Sequence, residues 1–167
     1  MRVGEAIALD RADLDPSNQM LTIRHGKFDK SRELVLHEST VQAMVRYAEL
    51  RDFVIPRPRA ASFFVSSCGT ALIYKNVQFN FSRLRKWTGL DTACDPVPRI
   101  HDLRHSFAVT TLVRWYQQGL DVQVRLPRLS TYLGHVSPSS TYWYLSAVPE
   151  LLSAAAARLD DEYGDPL

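Results

Sequence analysis

The residues HDLRH at positions 101–105 place an imidazole beside a guanidinium. His101 and Arg104 are three positions apart, so their side chains share one face of a helix. Positive donors fixed in this way can stabilise an oxyanion, because they are already in place where negative charge develops. Leu103 and Phe107 form a neighbouring apolar stripe, which we expect to attach this helix to the core. The pattern alone also fits a histidine and an arginine that merely cap the helix or pair locally.

A second group of reactive residues lies further along the chain. Leu133-Gly134-His135 ends a short helical pattern, and Tyr144 follows His135 by nine residues. A free tyrosine has a pKa near 10, so at neutral pH it needs a base or a positive field to act as a nucleophile. Tyr142 is a rival nucleophile. For Tyr142 and Trp143 we favour a role in an aromatic cluster that packs a helix.

A metal site is the competing chemistry for the histidines. His101 and His105 have the i, i+4 spacing of a zinc-binding pair, and His135 could add a third nitrogen. The residues between the pair include no glutamate to act as a general base, and Arg104 would repel a cation. The sequence also shows no acidic metal cluster and no glycine-rich phosphate loop. We therefore expect neither a metal nor a cofactor.

Length and composition restrict the class of protein. The chain has 167 residues, 46% hydrophobic and 23% charged, which is typical of one globular domain and excludes a disordered chain or a coiled-coil rod. No apolar run is long enough to cross a membrane, and the first residues do not resemble a signal peptide. Two cysteines imply no disulfide framework, so a reducing cytoplasm is the default location.

The charge is unevenly distributed although the net charge is only +2. Residues 61–135 carry nine basic groups and four aspartates, whereas residues 136–167 carry one arginine and five acids. Sixteen of the twenty basic residues are arginines, whose planar fork of donors suits phosphate. The basic middle segment fits a nucleic-acid partner or, equally, a solvated basic face.

Periodicity predicts the elements that must position these residues. Met20 to Arg24 alternates and, with Arg32 to Leu36, predicts a hairpin over residues 20–36. A further short strand is expected over residues 62–65. Helices are expected from an N-cap at Ser39 to before Pro56, over 77–87, from His101 to Gln118, from Pro127 to Leu133, over 140–145 and over 149–161. The fold class is therefore α+β, mostly α-helical with a small antiparallel sheet.

Four separated segments resemble, in order, the active-site signature of the tyrosine recombinase (phage integrase) family. They are RVGE at 2–5 followed by Leu9, Asp13 and Asp15, the Gly26-Lys27 loop between two strands, HDLRHSFA at 101–108, and LGH at 133–135 with a tyrosine nine residues later. The first is similar to the family's first arginine box and the second to its lysine-bearing β-hairpin. The resemblance covers residues 2 to about 150, and it implies the tyrosine-recombinase catalytic-domain fold.

The resemblance implies a role for each matching residue. Tyr144 would attack a DNA phosphate to give a 3′-phosphotyrosyl link and a free 5′-hydroxyl. Arg2 and Arg104 would bind the non-bridging oxygens. Lys27 would donate the proton to the leaving 5′-oxygen, a role for which Lys30 competes. Lys27 is preferred because it follows the glycine at the end of the first strand, as in the family.

The histidines complete the implied site. His101 and His135 would hydrogen-bond the phosphate, and His101 could also take the tyrosine proton. His105 is expected to be structural, because the next step along the helix rotates it past Arg104. Glu5 is expected to pair with or orient a basic group near Arg2.

The start of the chain departs from the family pattern. Family members have a DNA-binding domain and several helices before the first arginine box, which here begins at residue 2. We therefore expect a single partial catalytic domain over 1–167, without the N-terminal DNA-binding domain and with weak or no recombination activity. Its parts are the arginine box at 2–15, the hairpin at 20–36, the helix at 101–118, the nucleophile segment at 135–146 and a C-terminal helix at 149–161.

The implied function is site-specific recombination or integration by cleavage and rejoining of double-stranded DNA. The alternative is a non-catalytic remnant that binds DNA or a partner. We expect self-association, or contact with a full-length recombinase, through the C-terminal helix, unless that helix folds back on its own core. The implied location is the bacterial cytoplasm, in association with the nucleoid and without a membrane partner.

Overall fold

The computed structural model describes residues 1–24, 26, 31–135 and 139–147. The chain divides into two compact units, one from Met1 to Ile100 and one that begins at His101. Each unit contains its own group of buried apolar side chains.

A three-stranded antiparallel sheet lies in the first unit. Its strands, in spatial order, are β1 (Leu14–Asp15), β2 (Met20–Ile23) and β3 (Arg32–Val35). β2 and β3 pair in a register that sets Leu21 opposite Leu34, and both of these leucines are buried. Leu21 and Ile23 share the buried face of β2 because alternate side chains of a strand point the same way. The two strands lie where the sequence pattern predicts them.

Helical segments precede and follow this sheet along the chain. Helix α1 (Val3–Ile7) and a 3-10 turn (Arg11–Asp13) precede it, and α2 (Glu38–Val54) follows it. The N-cap of α2 is His37, whose Nδ1 accepts the backbone N–H of Ser39 at 3.3 Å. The prediction that Ser39 is the cap is therefore wrong. The sequence pattern of a capping box was present, but a ring nitrogen two residues earlier accepts the bond.

Over residues 62–65 the predicted strand is replaced by two isolated β-bridges, from Ser62 to Asp10 and from Val65 to Ala71. The guanidinium of Arg51, which is buried, donates to the backbone oxygens of Ser62 and Phe63 at 3.1 and 2.9 Å. Phe63 is itself completely buried. A side chain thus supplies hydrogen bonds that a neighbouring strand would otherwise provide.

Two further helices complete the first unit, α3 (Tyr74–Trp87) and α4 (Leu90–Ala93). Helix α3 ends before Gly89, which has a φ of +74°. This left-handed conformation is strained for a residue with a Cβ, so the glycine is a natural stop for the helix. The sequence predicts the same end for α3.

Most of the described part of the second unit is helical. It contains α5 (Asp102–Gln117), α6 (Val122–Leu133) and α7 (Ser139–Ala147). Seven buried residues from these helices form one apolar cluster: Ala108, Leu112, Val122, Leu126, Leu129, Leu133 and Tyr144.

Helix α6 begins earlier than the sequence predicts. Pro127 was expected at its start, but the helix begins at Val122, and Pro127 lies inside it. Asp121 caps this helix, because its carboxylate accepts the backbone N–H of Val124 at 3.1 Å. The helix ends at Gly134, whose φ is +71°.

The predicted fold class, mostly α-helical with a small antiparallel sheet, is confirmed. Among the described residues, no helix combines the length and the apolar character needed to cross a membrane. The C-terminal helix expected at 149–161 lies outside the described residues.

Candidate active site

The first arginine of the predicted box, Arg2, is held by a buried carboxylate. Glu5, with 6% of its side chain exposed, accepts the backbone N–H of Arg2 at 2.7 Å and its Nη1 at 3.0 Å. Arg32, the first residue of β3, donates to the two oxygens of the same carboxylate at 3.2 and 2.9 Å. Two guanidinium groups therefore share one carboxylate.

The two arginines determine the protonation of Glu5. Burial by itself raises the pKa of this carboxyl. Hydrogen bonds and charge from Arg32, together with the hydrogen bonds from Arg2, outweigh that effect and hold the pKa at about 2. Glu5 is therefore ionised at neutral pH, and its contacts match the expectation that it orients a basic group near Arg2.

The arginine box also anchors both ends of the hairpin loop. Asp13 is buried, and its carboxylate accepts Nε of Arg24, just after β2, at 2.6 Å. On the other side of the loop, Glu5 accepts Arg32. Lys27 and Lys30 lie between these anchors but outside the described residues, so the choice of Lys27 as the proton donor stays a prediction.

In the second unit, His101 and Arg104 lie at the start of α5. His101 is the N-cap residue of this helix, and its side chain is exposed. Its backbone oxygen accepts the N–H of Arg104 at 3.0 Å. Arg104 is buried despite its charge, with 8% of its surface exposed. A buried cation is stable only with anionic or hydrogen-bonding neighbours.

The face of α5 that packs into the core is not the one that the sequence predicts. Leu103 is 60% exposed and Phe107 is 46% exposed, so that prediction is wrong. Ala108 and Leu112 are completely buried instead. Both stripes have helical spacing, and the sequence of α5 alone does not tell which one its neighbours cover.

Tyr144 lies on α7, and its buried ring is close to two imidazoles. Only 7% of the residue is exposed. The His135 ring is nearly parallel to the phenol ring, with centroids 6.4 Å apart and planes inclined by 10°. The His105 ring lies at 5.0 Å with its plane inclined by 42°. The structure thus brings together His135 and Tyr144, two of the residues predicted from the sequence.

The aromatic residues before Tyr144 differ from it in environment. Tyr142 is exposed. Trp143 packs edge-on against the Tyr144 ring at 5.5 Å and approaches the His105 ring at 5.9 Å. Trp143 therefore takes part in the packing of this region, as expected. Of the two candidate nucleophiles, Tyr144 is the buried one, and its ring is close to His105 and His135.

Two contacts around Tyr144 were not anticipated. His105 was expected to be structural because it is rotated past Arg104 along the helix; its ring lies 5.0 Å from that of Tyr144. Thr141 is completely buried, and its hydroxyl lies 2.7 Å from Nδ1 of His135. A sequence signal for Thr141 exists, because a residue three positions before the tyrosine shares its helix face.

The site residues divide between the two units. Arg2 is described within the first unit, and His101, Arg104, His135 and Tyr144 within the second. Across residues 1–24, 26, 31–135 and 139–147, no group of three or more His, Cys, Asp or Glu side chains is arranged to hold a metal ion.

Comparison with known families gives the assignment. Residues 1–150 match the phage integrase family. The chain belongs to this family, the tyrosine recombinases. The resemblance inferred from the four sequence segments is thereby confirmed.

Curated relatives agree with the family. Over 158 residues the chain is 44% identical to the putative integrase/recombinase y4rE of Sinorhizobium fredii (strain NBRC 101917 / NGR234), an alignment that covers 95% of this chain and 50% of y4rE. The chain spans about half the length of the curated relatives that it matches.

Solved structures confirm the tyrosine-recombinase catalytic-domain fold. The XerA recombinase is similar with a TM-score of 0.74 and 26% identity, over 97% of this chain and 53% of XerA. The XerH site-specific recombinase, in a post-cleavage complex with palindromic difH substrate, has a TM-score of 0.69 and 25% identity. That match covers 94% of this chain and 41% of XerH.

Proposed function

We propose that this chain carries out the strand-cleavage chemistry of a site-specific DNA recombinase, with Tyr144 as the nucleophile. The observation that carries the proposal is the buried Tyr144 ring with His135 and His105 close to it, in a chain of this family. The capture of XerH with its difH substrate after cleavage supports double-stranded DNA as the substrate class.

The reaction is a transesterification at phosphorus. The Tyr144 oxygen forms a bond to phosphorus while the bond from phosphorus to the 5′-oxygen breaks. The phenol proton passes to an imidazole, with His101 as the proposed acceptor, and Lys27 supplies a proton to the leaving 5′-oxygen. One phosphate ester replaces another, so rejoining is the same reaction in reverse and requires no nucleotide cofactor.

Arg2 and Arg104 are proposed to hold the non-bridging oxygens. Negative charge spreads over these oxygens in the transition state, and bidentate guanidinium groups match their geometry. A hydrogen bond to a charged group contributes roughly 1.5–3 kcal/mol, so loss of either arginine should slow cleavage by about tenfold or more. The pairing of Arg2 with Glu5 supports this role, because it fixes the direction of the guanidinium before DNA binds.

The proposal is limited to cleavage and rejoining at one strand. The matched relatives are about twice as long as this chain, and a complete recombination event is proposed to require a full-length recombinase beside it. Contact through the segment at 149–161 stays a prediction. A non-catalytic remnant is the alternative, and it differs in that nothing it does would depend on the Tyr144 hydroxyl.

Covalent capture tests the proposal. The substrate is a pool of short duplexes from mobile-element ends, each with sulfur in place of the 5′-bridging oxygen at one intact phosphodiester. Because the released thiol is a poor nucleophile toward phosphorus, the covalent adduct accumulates. We expect a protein–DNA adduct on a denaturing gel that disappears in Tyr144→Phe and persists in Tyr142→Phe, the matched control. An adduct that survives in Tyr144→Phe would refute the assignment of the nucleophile.

A further inference from the structure

Thr141 is a buried polar residue to which the proposed chemistry gives no role. It lies on α7 with no exposed surface. Its Oγ1 lies 2.7 Å from Nδ1 of His135, a normal distance for a strong hydrogen bond that involves a hydroxyl. A buried hydroxyl without a hydrogen bond lowers the free energy of unfolding by about 1–3 kcal/mol, so this contact helps to stabilise the second unit.

The contact joins the His135 ring to the helix that carries Tyr144. Thr141 precedes Tyr144 by three residues, so both side chains leave the same face of α7. His135 is also fixed through its backbone, since its N–H donates to the oxygen of Ser130 on α6 at 3.0 Å. The imidazole is thus held at its backbone by α6 and at its ring by α7.

This double attachment accounts for the ring orientation. An imidazole can rotate about its bond to Cβ, and a nearly parallel arrangement with Tyr144 selects one rotation. The bond from Nδ1 to Thr141 fixes that rotation, because it determines which edge of the ring faces α7. The orientation of the His135 ring is therefore set by α7, the helix that carries Tyr144.

We propose that Thr141 is a positioning residue for strand cleavage. Its hydroxyl donates to Nδ1, which places the neutral ring's proton on Nε2 and aligns the ring with Tyr144. The inference rests on the proposed function, in which His135 hydrogen-bonds the phosphate. A neutral imidazole donates from one nitrogen and accepts at the other, so acceptance at Nδ1 makes Nε2 the donor toward a phosphate oxygen.

Two substitutions separate the hydroxyl from the rest of the side chain. Thr141→Val keeps the shape and removes the hydroxyl, whereas Thr141→Ser keeps the hydroxyl and removes the methyl group. Thr110→Val, at an exposed position of α5, is the matched control for the same change of residue type. Thermal unfolding of each variant would establish that the second unit remains folded.

The first measurement is the rate of adduct formation on the sulfur-bridged duplexes, with DNA affinity measured separately. We expect Thr141→Val to slow cleavage by about tenfold or more, as loss of a supporting hydrogen bond does at other sites, with affinity nearly unchanged. Thr141→Ser should remain within about threefold of the parent, and Thr110→Val should match it. Equal rates for Thr141→Val and the parent, or equal losses in the valine and serine variants, would overturn the proposal.

The second measurement does not depend on cleavage. In protein labelled with 15N-histidine, the ring nitrogen shifts report the tautomer, and His135→Gln assigns the His135 signals. We expect the Nε2–H form in the parent and in Thr141→Ser, and a changed tautomer distribution in Thr141→Val. An Nδ1–H form in the parent, or identical spectra for the parent and Thr141→Val, would overturn the proposal. If the parent forms no adduct at all, the proposed function fails while this measurement still decides the role of Thr141.

Discussion

Substitution of Glu5 by glutamine should destabilise the first unit by about 2–3 kcal/mol at neutral pH. Glu5 is the carboxylate shared by Arg2 and Arg32. Glutamine keeps the size of the side chain and one accepting oxygen, but it removes the charge that balances two guanidinium groups. The cost therefore comes from two partly buried cations that lose their common anion.

The magnitude follows from the pKa of the carboxyl. Its ordinary value is 4.5, and the folded protein holds it at about 2. Each pKa unit corresponds to about 1.4 kcal/mol of preference for the ionised form, so the shift represents about 3 kcal/mol. A remaining hydrogen bond to the amide oxygen would return part of this, which gives the range above.

The same shift fixes the pH dependence. The pKa of Glu5 is lower in the folded than in the unfolded chain, so protonation favours unfolding. The stabilisation is complete above about pH 5 and is lost as the pH falls toward 2. The glutamine variant has no such titration, and the stability difference between it and the parent should shrink across this window.

Urea unfolding from pH 7 to pH 3 measures the difference, with amide hydrogen exchange in β2 and β3 as a probe confined to the first unit. Glu49→Gln, at an exposed position of α2, is the matched control and should stay within about 0.5 kcal/mol of the parent. The reasoning fails if Glu5→Gln behaves like this control, or if its deficit is the same at pH 3 as at pH 7.

Two further substitutions test the core and the proton donor. Leu112→Ala, in the buried cluster of the second unit, should reduce the free energy of unfolding by about 2–5 kcal/mol. Leu103→Ala, at an exposed position of the same helix, should reduce it far less. Equal losses in urea unfolding would contradict the assigned face of α5. Lys27→Ala should slow adduct formation on ordinary duplexes by about a hundredfold or more. On sulfur-bridged duplexes it should leave the rate unchanged, because a thiolate leaves without a proton. Lys30→Ala should leave both rates unchanged, and the opposite pattern would assign the role to Lys30.

Local patterns predicted most of the elements. The alternation in β2, the apolar spacing in α3 and α5, and the glycines at 89, 119 and 134 mark segments that the structure contains. The predicted start of α6 was wrong because Pro127 is a common first residue of a helix. Apolar Val122 and Leu126 continue the buried stripe upstream of it, and Asp121 supplies the cap. These signals were in the sequence but were outweighed by a stronger local one.

The residues that support the candidate site were harder to predict than the residues proposed to react. Tyr144 and His135 belong to a recognisable motif, and the structure brings them together. The anchor of Glu5 on Arg32 spans 27 positions in the chain. No local spacing encodes such a pair, because it depends on how β3 lies against α1. Likewise, the choice between the two apolar stripes of α5 is made by its neighbours in space.

The Tyr144 ring belongs to the hydrophobic core of the second unit as well as to the proposed reaction. Burial of an aromatic ring of this kind is worth about 2 kcal/mol, so a state in which the ring has left the core would hold only a few per cent of the molecules. The proposed nucleophile is thus buried in the unbound protein. Under the proposed mechanism, either the DNA backbone must be brought to the buried tyrosine, or contacts with DNA must supply the free energy that moves its ring out of the core.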